Sequence, residues 1–348
     1  MNARVRSALT SPEAIAFVLL VAAFAWSVQL SPYFLDTQNL FDMTARFVEV
    51  GVMSLSMTLL LIAGLMDLSV ASLAALDAMV FGLLIQAHSS LAIAIAVTLF
   101  VGMGLGLVNG LIVTRIGVPS LVVTLGLLGL YRGIAQGLAG DHSISGFPRE
   151  FVALDTRYLG DSPVSVPLVL YVLAIVAFVL LLHASRFGRL IAVVGSNETA
   201  ARFSGVNVGQ VKIALFVLAG LTSAIAGLLY ASRLQAIRWD LASGSELDII
   251  TAAILGGAGI LGGRGSIIGT VIAVMILAVL RNGLGLANVP GEARVSVVGA
   301  LLILSILISS ALAAVPGRLP AGIRRAFNRR LWRVDVPGKS AETLREVK

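Results

Sequence analysis

The chain has no cysteine among its 348 residues, which excludes disulfides and thiolate metal sites. Charge is scarce as well: 12% of residues are Asp, Glu, Lys or Arg, against about 25% in an ordinary soluble domain. Most of the chain therefore has no means of making a solvated surface. The three histidines, His88, His142 and His183, fall in different polar breaks and make no metal cluster. No serine shares a face with a histidine and an acid, so no nucleophile arrangement exists. Nucleotide sites are missing too. Gly257-Ala-Gly259-Ile-Leu-Gly262 has the spacing of a dinucleotide loop, but it sits in an apolar segment with no strand–helix–strand unit around it. Gly338-Lys339-Ser340 has the ending of a phosphate loop, but residue 333 is Arg where that loop needs glycine. These absences argue against an enzyme and imply no cofactor and no metal.

What is present is oil. The sequence is 58% hydrophobic and contains 36 glycines. Its apolar residues arrive in runs of roughly twenty, the length that crosses a bilayer as a helix. Small residues let such helices approach closely, since lipid removes the hydrophobic drive between them. The fold class expected is an all-α polytopic membrane protein. The formal charge of +7 does not point to nucleic acid, because Arg318 to Lys348 holds nine basic residues against three acids, the bias of a cytoplasmic tail.

About ten transmembrane helices are expected. They run over Ala14–Val28, Phe47–Leu65, Ser69–Gln86, Leu91–Val113, Pro119–Leu138, Val166–Leu182, Val211–Leu229, Leu247–Leu261, Ile267–Val279 and Val295–Ala313. The fourth carries Gly102, Gly106 and Gly110 on one face, a close helix contact. The eighth is short and interrupted by glycine, which suits a broken or re-entrant helix. Arg4, Arg6, Arg115, Arg186, Arg189, Arg202 and Lys212 place both termini on the cytoplasmic side. The segments Asp141–Ser165 and Gln235–Ser245 then face outward. The domain organisation read from this is a cytoplasmic N-terminus (1–13), a transmembrane domain (14–314) with a cytoplasmic loop at 183–212, and a basic cytoplasmic tail (315–348). Two halves of five spans would have opposite orientation, an inverted 5+5 repeat. Asn109-Gly110-Leu111 and Asn282-Gly283-Leu284 echo one another, each following an aspartate in a broken segment (Asp67, Asp248).

The loop at 183–212 is the longest charged interruption inside the apolar chain. Ser196 or Asn197 can cap a short helix, with Glu198 in its first turn, Arg202 in its last and Gly205 after its end. A helix of two turns needs a surface to lie on. That surface is either a partner at the membrane face or the protein itself. Intramembrane acids are costly unless they face protein or water. Asp67 precedes Leu68-Ser69 at a helix start, where a capping carboxylate satisfies free amides; an ion-binding role in a coupled carrier is the alternative for it and for Asp248. Arg132 and Arg264 lie near span ends, where snorkelling accounts for them.

Four segments together resemble one family. Gly64-Leu-Met-Asp67-Leu68-Ser69-Val70-Ala71-Ser72 resembles the G-G-I-D-L-S-V-G-S signature of ribose-type (simple-sugar) permeases of ABC importers. Pro119-Ser-Leu-Val-Val-Thr124-Leu125-Gly126, followed by Tyr131-Arg132-Gly133, resembles their P-x-F-I-x-T-L-G…R-G segment. Gly188-Arg189…Gly195-Ser-Asn197-Glu198-Thr-Ala200-Ala201-Arg202-Phe-Ser204-Gly205 is similar to their G-R…G-x-N-x-x-A-A-R-x-S-G-I loop. Glu246-Leu247-Asp248…Gly262-Gly263-Arg264-Gly265-Ser266 is similar to their E-L…G-G-R-G-S block. Within that family the wording around Tyr131-Arg132 is similar to permeases for rhamnose and autoinducer-two.

The resemblance implies a bacterial inner-membrane permease subunit that carries a simple sugar or sugar-like compound and itself catalyses nothing. It implies as partners an ABC ATPase subunit, a periplasmic sugar-binding protein and a second permease copy, identical or paralogous. Gly195, Asn197, Glu198, Ala201, Arg202 and Gly205 would then be the ATPase-coupling residues. Asp67, Ser69, Asn109, Thr124, Glu246 and Asp248 are candidates for the translocation path or for broken-helix caps. The alternatives are an ion-coupled secondary carrier, or an ABC permease for nucleosides or branched-chain amino acids.

Overall fold

A computed structural model describes residues 12–158 and 164–314. The N-terminal Arg4 and Arg6, the basic tail 315–348 and Gly338–Ser340 lie outside the described residues. The described chain is helical, in the order α1 (Pro12–Leu30), α2 (Thr37–Ala45), α3 (Val48–Ile62), α4 (Val70–Gln86), α5 (Leu91–Ile116), α6 (Ser120–Ala139), α7 (Arg149–Thr156), α8 (Val166–His183), α9 (Arg186–Ser196), α10 (Glu198–Phe203), α11 (Val208–Leu234), α12 (Ser245–Leu255), α13 (Ile267–Leu286) and α14 (Gly291–Ala314). The strands β1 (Ile144–Ser145) and β2 (Ala236–Ile237) pair antiparallel, Ile144 opposite Ile237. Chain contacts gather one unit up to Ile306, and a second begins at Leu307.

Among the described residues, six helices are long and apolar enough to cross a membrane, or seven if α2 and α3, bent by 46° at their junction, count as one span. Three of the ten expected spans are short. At about 1.5 Å per residue, the 15 residues of α3, 17 of α4 and 11 of α12 each reach less far than a hydrocarbon core of about 30 Å. The eighth span stops at Leu255, and Gly256–Ser266 is not helical. Other helices run past the expected ends, α11 by three residues at the start and α13 to Leu286.

At the centre lies α3, every residue of which is buried. A helix apolar on all sides belongs in the interior, and α3 is packed by α8, α11, α12 and α13. Its hydroxyls bond first within the helix: Ser54 Oγ donates to Val50 O (2.7 Å) and Thr58 Oγ1 to Ser54 O (2.7 Å). Thr58 also bonds Thr270 of α13, and Ser56 bonds Thr222 of α11, each at 2.7 Å. Glycine sets the closest contacts. The Gly102, Gly106 and Gly110 face of α5 lies on α11, where a Cβ at Gly106 would run into the Phe216 carbonyl. The two ends of this bundle differ in composition. One carries β1–β2, α7 and the buried Glu49–Arg233 pair (2.7 Å). The other carries α9, α10 and the break after Ile62.

Candidate functional site

The charged loop folds as two helices, not one. Ser185 caps α9 by accepting from Gly188 N (3.0 Å), and Gly188, Ile191 and Val194 form its buried face while Arg186 and Arg189 stay exposed. Asn197 then breaks the helix and caps α10, its Oδ1 accepting from Ala200 N (2.9 Å). Gly205, at φ +81°, ends α10 with its N–H on Arg202 O (3.0 Å). Glu198 pairs with Arg202 at 2.7 Å, as the four-residue spacing predicts, and also with Lys212 of α11 at 2.7 Å. That second bond was not legible, because it joins residues on either side of a turn. Lys212, with Arg202 adding to it, outweighs partial burial and holds the Glu198 carboxyl below its ordinary range.

Ala201 corrects an expectation. A partner-seating role suggests that it faces outward, but it is 0% exposed and belongs to the protein's own core beside Val208 and Val211. The outward side of α10 is carried instead by Phe203, 89% exposed, and Arg202. One face packs on the protein, and the opposite face presents the Phe203 ring outward. A cavity of about 550 Å³ opens beside α10, lined by Gly64, Met66, Gly117, Glu198, Lys212 and Ile260 among others.

The break between α3 and α4 is a hydrogen-bonded knot. Gly64 takes φ +75°, and the strand-like turn that follows leaves backbone amides free. Met66 N donates to Ser120 Oγ (3.0 Å) and Leu68 N to Thr124 Oγ1 (3.1 Å), so α6 satisfies two of them. Asp67 Oδ1 accepts from Ser69 N (2.8 Å) and Ser69 Oγ (2.5 Å). Asn109 of α5 donates to Ser69 Oγ (3.0 Å) and Asp67 Oδ2 (3.4 Å), and Tyr131 Oη donates to Asn109 Oδ1 (2.5 Å). Asp67, Ser69, Asn109 and Thr124 therefore meet in one fully buried cluster. Both Asp67 oxygens are engaged by neutral donors, the arrangement of a cap.

Glu246 and Asp248 do not join that cluster. They occupy the first turn of α12, after Gly244 at φ +84°. Asp248 Oδ1 meets Arg281 Nη2 of α13 at 2.6 Å with the carboxylate 2% exposed, while Glu246 Oε2 has no hydrogen-bond partner among the described residues. Arg132 does not snorkel. Its Nη1 donates to Trp239 O (2.8 Å) and Leu241 O (2.7 Å), clamping α6 to the loop before α12. Glu49–Arg233 escaped the sequence reading, because its partners are 184 residues apart. Asp77, one of the intramembrane acids expected to face protein or water, is buried with no hydrogen-bond partner among the described residues. Among the described residues no group of three or more His, Asp or Glu could hold a metal.

Apolar helices of membrane-crossing length, shorter ones ending in breaks, and a capped charged segment packed on one break are the architecture of a helical membrane protein. Comparison gives the family. A family model described as "Branched-chain amino acid transport system / permease component" matches residues 39–306, and the chain belongs to that family. It is 36% identical over 301 residues to the Autoinducer 2 import system permease protein LsrD of Klebsiella pneumoniae, covering 85% of this chain and 90% of the relative. The LsrD proteins of Enterobacter sp. (strain 638) and Escherichia coli (strain K12) are each 35% identical, over 85% and 84% of this chain and 91% and 90% of theirs. No solved structure matches it. The expected permease subunit of an ABC importer is borne out by this match, and the chain is a transport subunit rather than an enzyme. The ion-coupled carrier falls away with it.

Proposed function

We propose that this protein forms the translocation path for a simple sugar or sugar-like compound, the autoinducer-2 class named for its relatives, powered through α10 by a separate ATPase. The exposed ring of Phe203 on a helix whose other side is bolted to the protein carries this reading. It is the geometry of a part that receives force from outside and passes it inward. Gly195, Asn197, Glu198, Arg202 and Gly205 shape that part, while Ala201 anchors it to the membrane domain. The family description names branched-chain amino acids; the sugar-like cargo is favoured because the LsrD relatives align over nine-tenths of their length. A periplasmic binding protein delivers the cargo, and a second permease copy completes the path.

In the inner membrane the chain makes ten passages, α1, α3, α4, α5, α6, α8, α11, α12, α13 and α14, with the 1–13 segment, the 183–212 loop and the 315–348 tail in the cytoplasm. The basic residues Arg115, Arg186, Arg189 and Lys212 at the α9–α10 end support this orientation. The inverted 5+5 relation is supported by packing. α4 lies on α5 and α11, and α12 lies on α13 and α3, pairings that exchange of halves relates, although α4 also packs on α6. Asp67, Ser69, Asn109 and Thr124 hold the first break, and Asp248 with Glu246 opens its counterpart.

The test pairs two variants. Phe203→Ala should leave thermal stability in detergent unchanged and weaken co-purification with the ATPase. Ala201→Trp should lower the thermal stability of the domain, because forcing a large ring into a filled core costs about 1–3 kcal/mol. Full ATPase binding and wild-type uptake by Phe203→Ala would put the partner on another surface.

A further inference from the structure

Three stretches far apart in sequence meet at the root of the coupling segment with almost no side chain between them. The first is the end of α9 at Gly195, the second the end of α3 at Ile62, and the third the loop Gly256–Ser266 that follows α12. Gly263 N donates to Ile62 O at 2.8 Å. A Cβ on Gly195 would run into that same carbonyl oxygen and lie 2.8 Å from Gly263 N. A Cβ on Gly262 would lie 2.7 Å from Gly195 O and 3.0 Å from Gly64 N. Gly262 and Gly263 hold φ +85° and +78°, which suits glycine in place of a residue with a side chain. Backbone-to-backbone contact of this kind has little give: flexible side chains absorb displacement by changing rotamer, and none stands in the way here.

The consequence concerns the breaks. Ile62 ends the helix that leads into the Asp67 turn, and Gly263 lies in the loop joining α12 to α13. Each break packs against the Gly195 backbone, which leads through one residue more to Asn197 and α10. We propose that Gly195 and Gly263 are positioning residues, a backbone clasp through which one displacement of the coupling segment moves both breaks together. This rests on the reading that α10 seats an ATPase. It adds that the segment transmits motion as a rigid unit, without sliding over the membrane domain.

Side chains placed at the clasp test it. A Cβ at Gly263 would stand 3.2 Å from Ser196 Oγ and 3.3 Å from Ser196 Cα, and the φ of +78° strains any residue that carries one. The Gly263→Ala permease is assembled with its ATPase and binding protein in liposomes. The ATPase should stay bound while the ATP hydrolysed per solute carried rises about ten-fold, a coupling effect of ordinary size. A wild-type ratio means that the segments move independently, which overturns the clasp. Gly195→Ala, whose Cβ would meet Ile62 O, should raise the ratio in the same way. A wild-type ratio in that variant also overturns the proposal. If wild-type permease fails to hold the ATPase at all, the fault lies in the docking reading, not in the clasp.

Discussion

Two links tie the starts of short helices to their neighbours and are built from opposite chemistry. The start of α4 is tied to α5 by Asp67, Ser69 and Asn109, a network whose partners to the acid are all neutral. The start of α12 is tied to α13 by Asp248 and Arg281, a charge pair at 2.6 Å. A hydrogen-bonded network distributes its loss over several groups, so one substitution leaves the others partly satisfied. An ion pair buried on the acid side has no such reserve. Removing the cation strands a carboxylate where desolvation is expensive. The first link suits a turn that must keep its shape, and the second a joint that holds or releases as one contact.

The largest expected effect breaks the second link. Arg281→Met should lower unfolding stability in detergent by about 3–5 kcal/mol, the cost of leaving a buried partner unpaired. Adding Asp248→Leu should recover most of it, and a double variant as unstable as the single one would show that Arg281 acts elsewhere. Next comes Asn109→Leu, which strips hydrogen bonds from Ser69 and Tyr131 and should cost about 1–3 kcal/mol. A loss as large as that of Arg281→Met would erase the contrast between the links. Asp67→Asn is smaller again, because its carbonyl oxygen can still accept from Ser69; retained uptake is expected, and its abolition would assign Asp67 a charge-dependent role. Smallest is Glu198→Gln on the surface, worth a few tenths of a kcal/mol. The Glu198 carboxyl is held below its ordinary range, so its pairing contributes stability above about pH 4.3, the value in the unfolded chain, and loses it as pH falls through the lowered folded value. Thermal melts of wild type and Glu198→Gln should therefore differ slightly at pH 7 and converge in acid; a gap that widens in acid contradicts this sign.

Local chemistry alone determined much of this protein. Runs of apolar residues can satisfy their backbone in lipid only as helices, so the helical class followed from composition. The cap at Asn197, the stop at Gly205 and the Glu198–Arg202 pair needed only neighbours within one turn. The glycine face of α5 followed from four-residue spacing. Tertiary structure decided the rest. In a helix apolar on every side, periodicity cannot distinguish a lipid face from a core face, so the complete burial of α3 was not written in its pattern. Ala201 is small on either side of α10, and only the packing of α10 against the bundle turned it inward. Asp248 and Arg281 are 33 residues apart, and Ile62, Gly195 and Gly263 are farther still. No local rule reaches such distances, because what joins these residues is the way whole helices settle against one another.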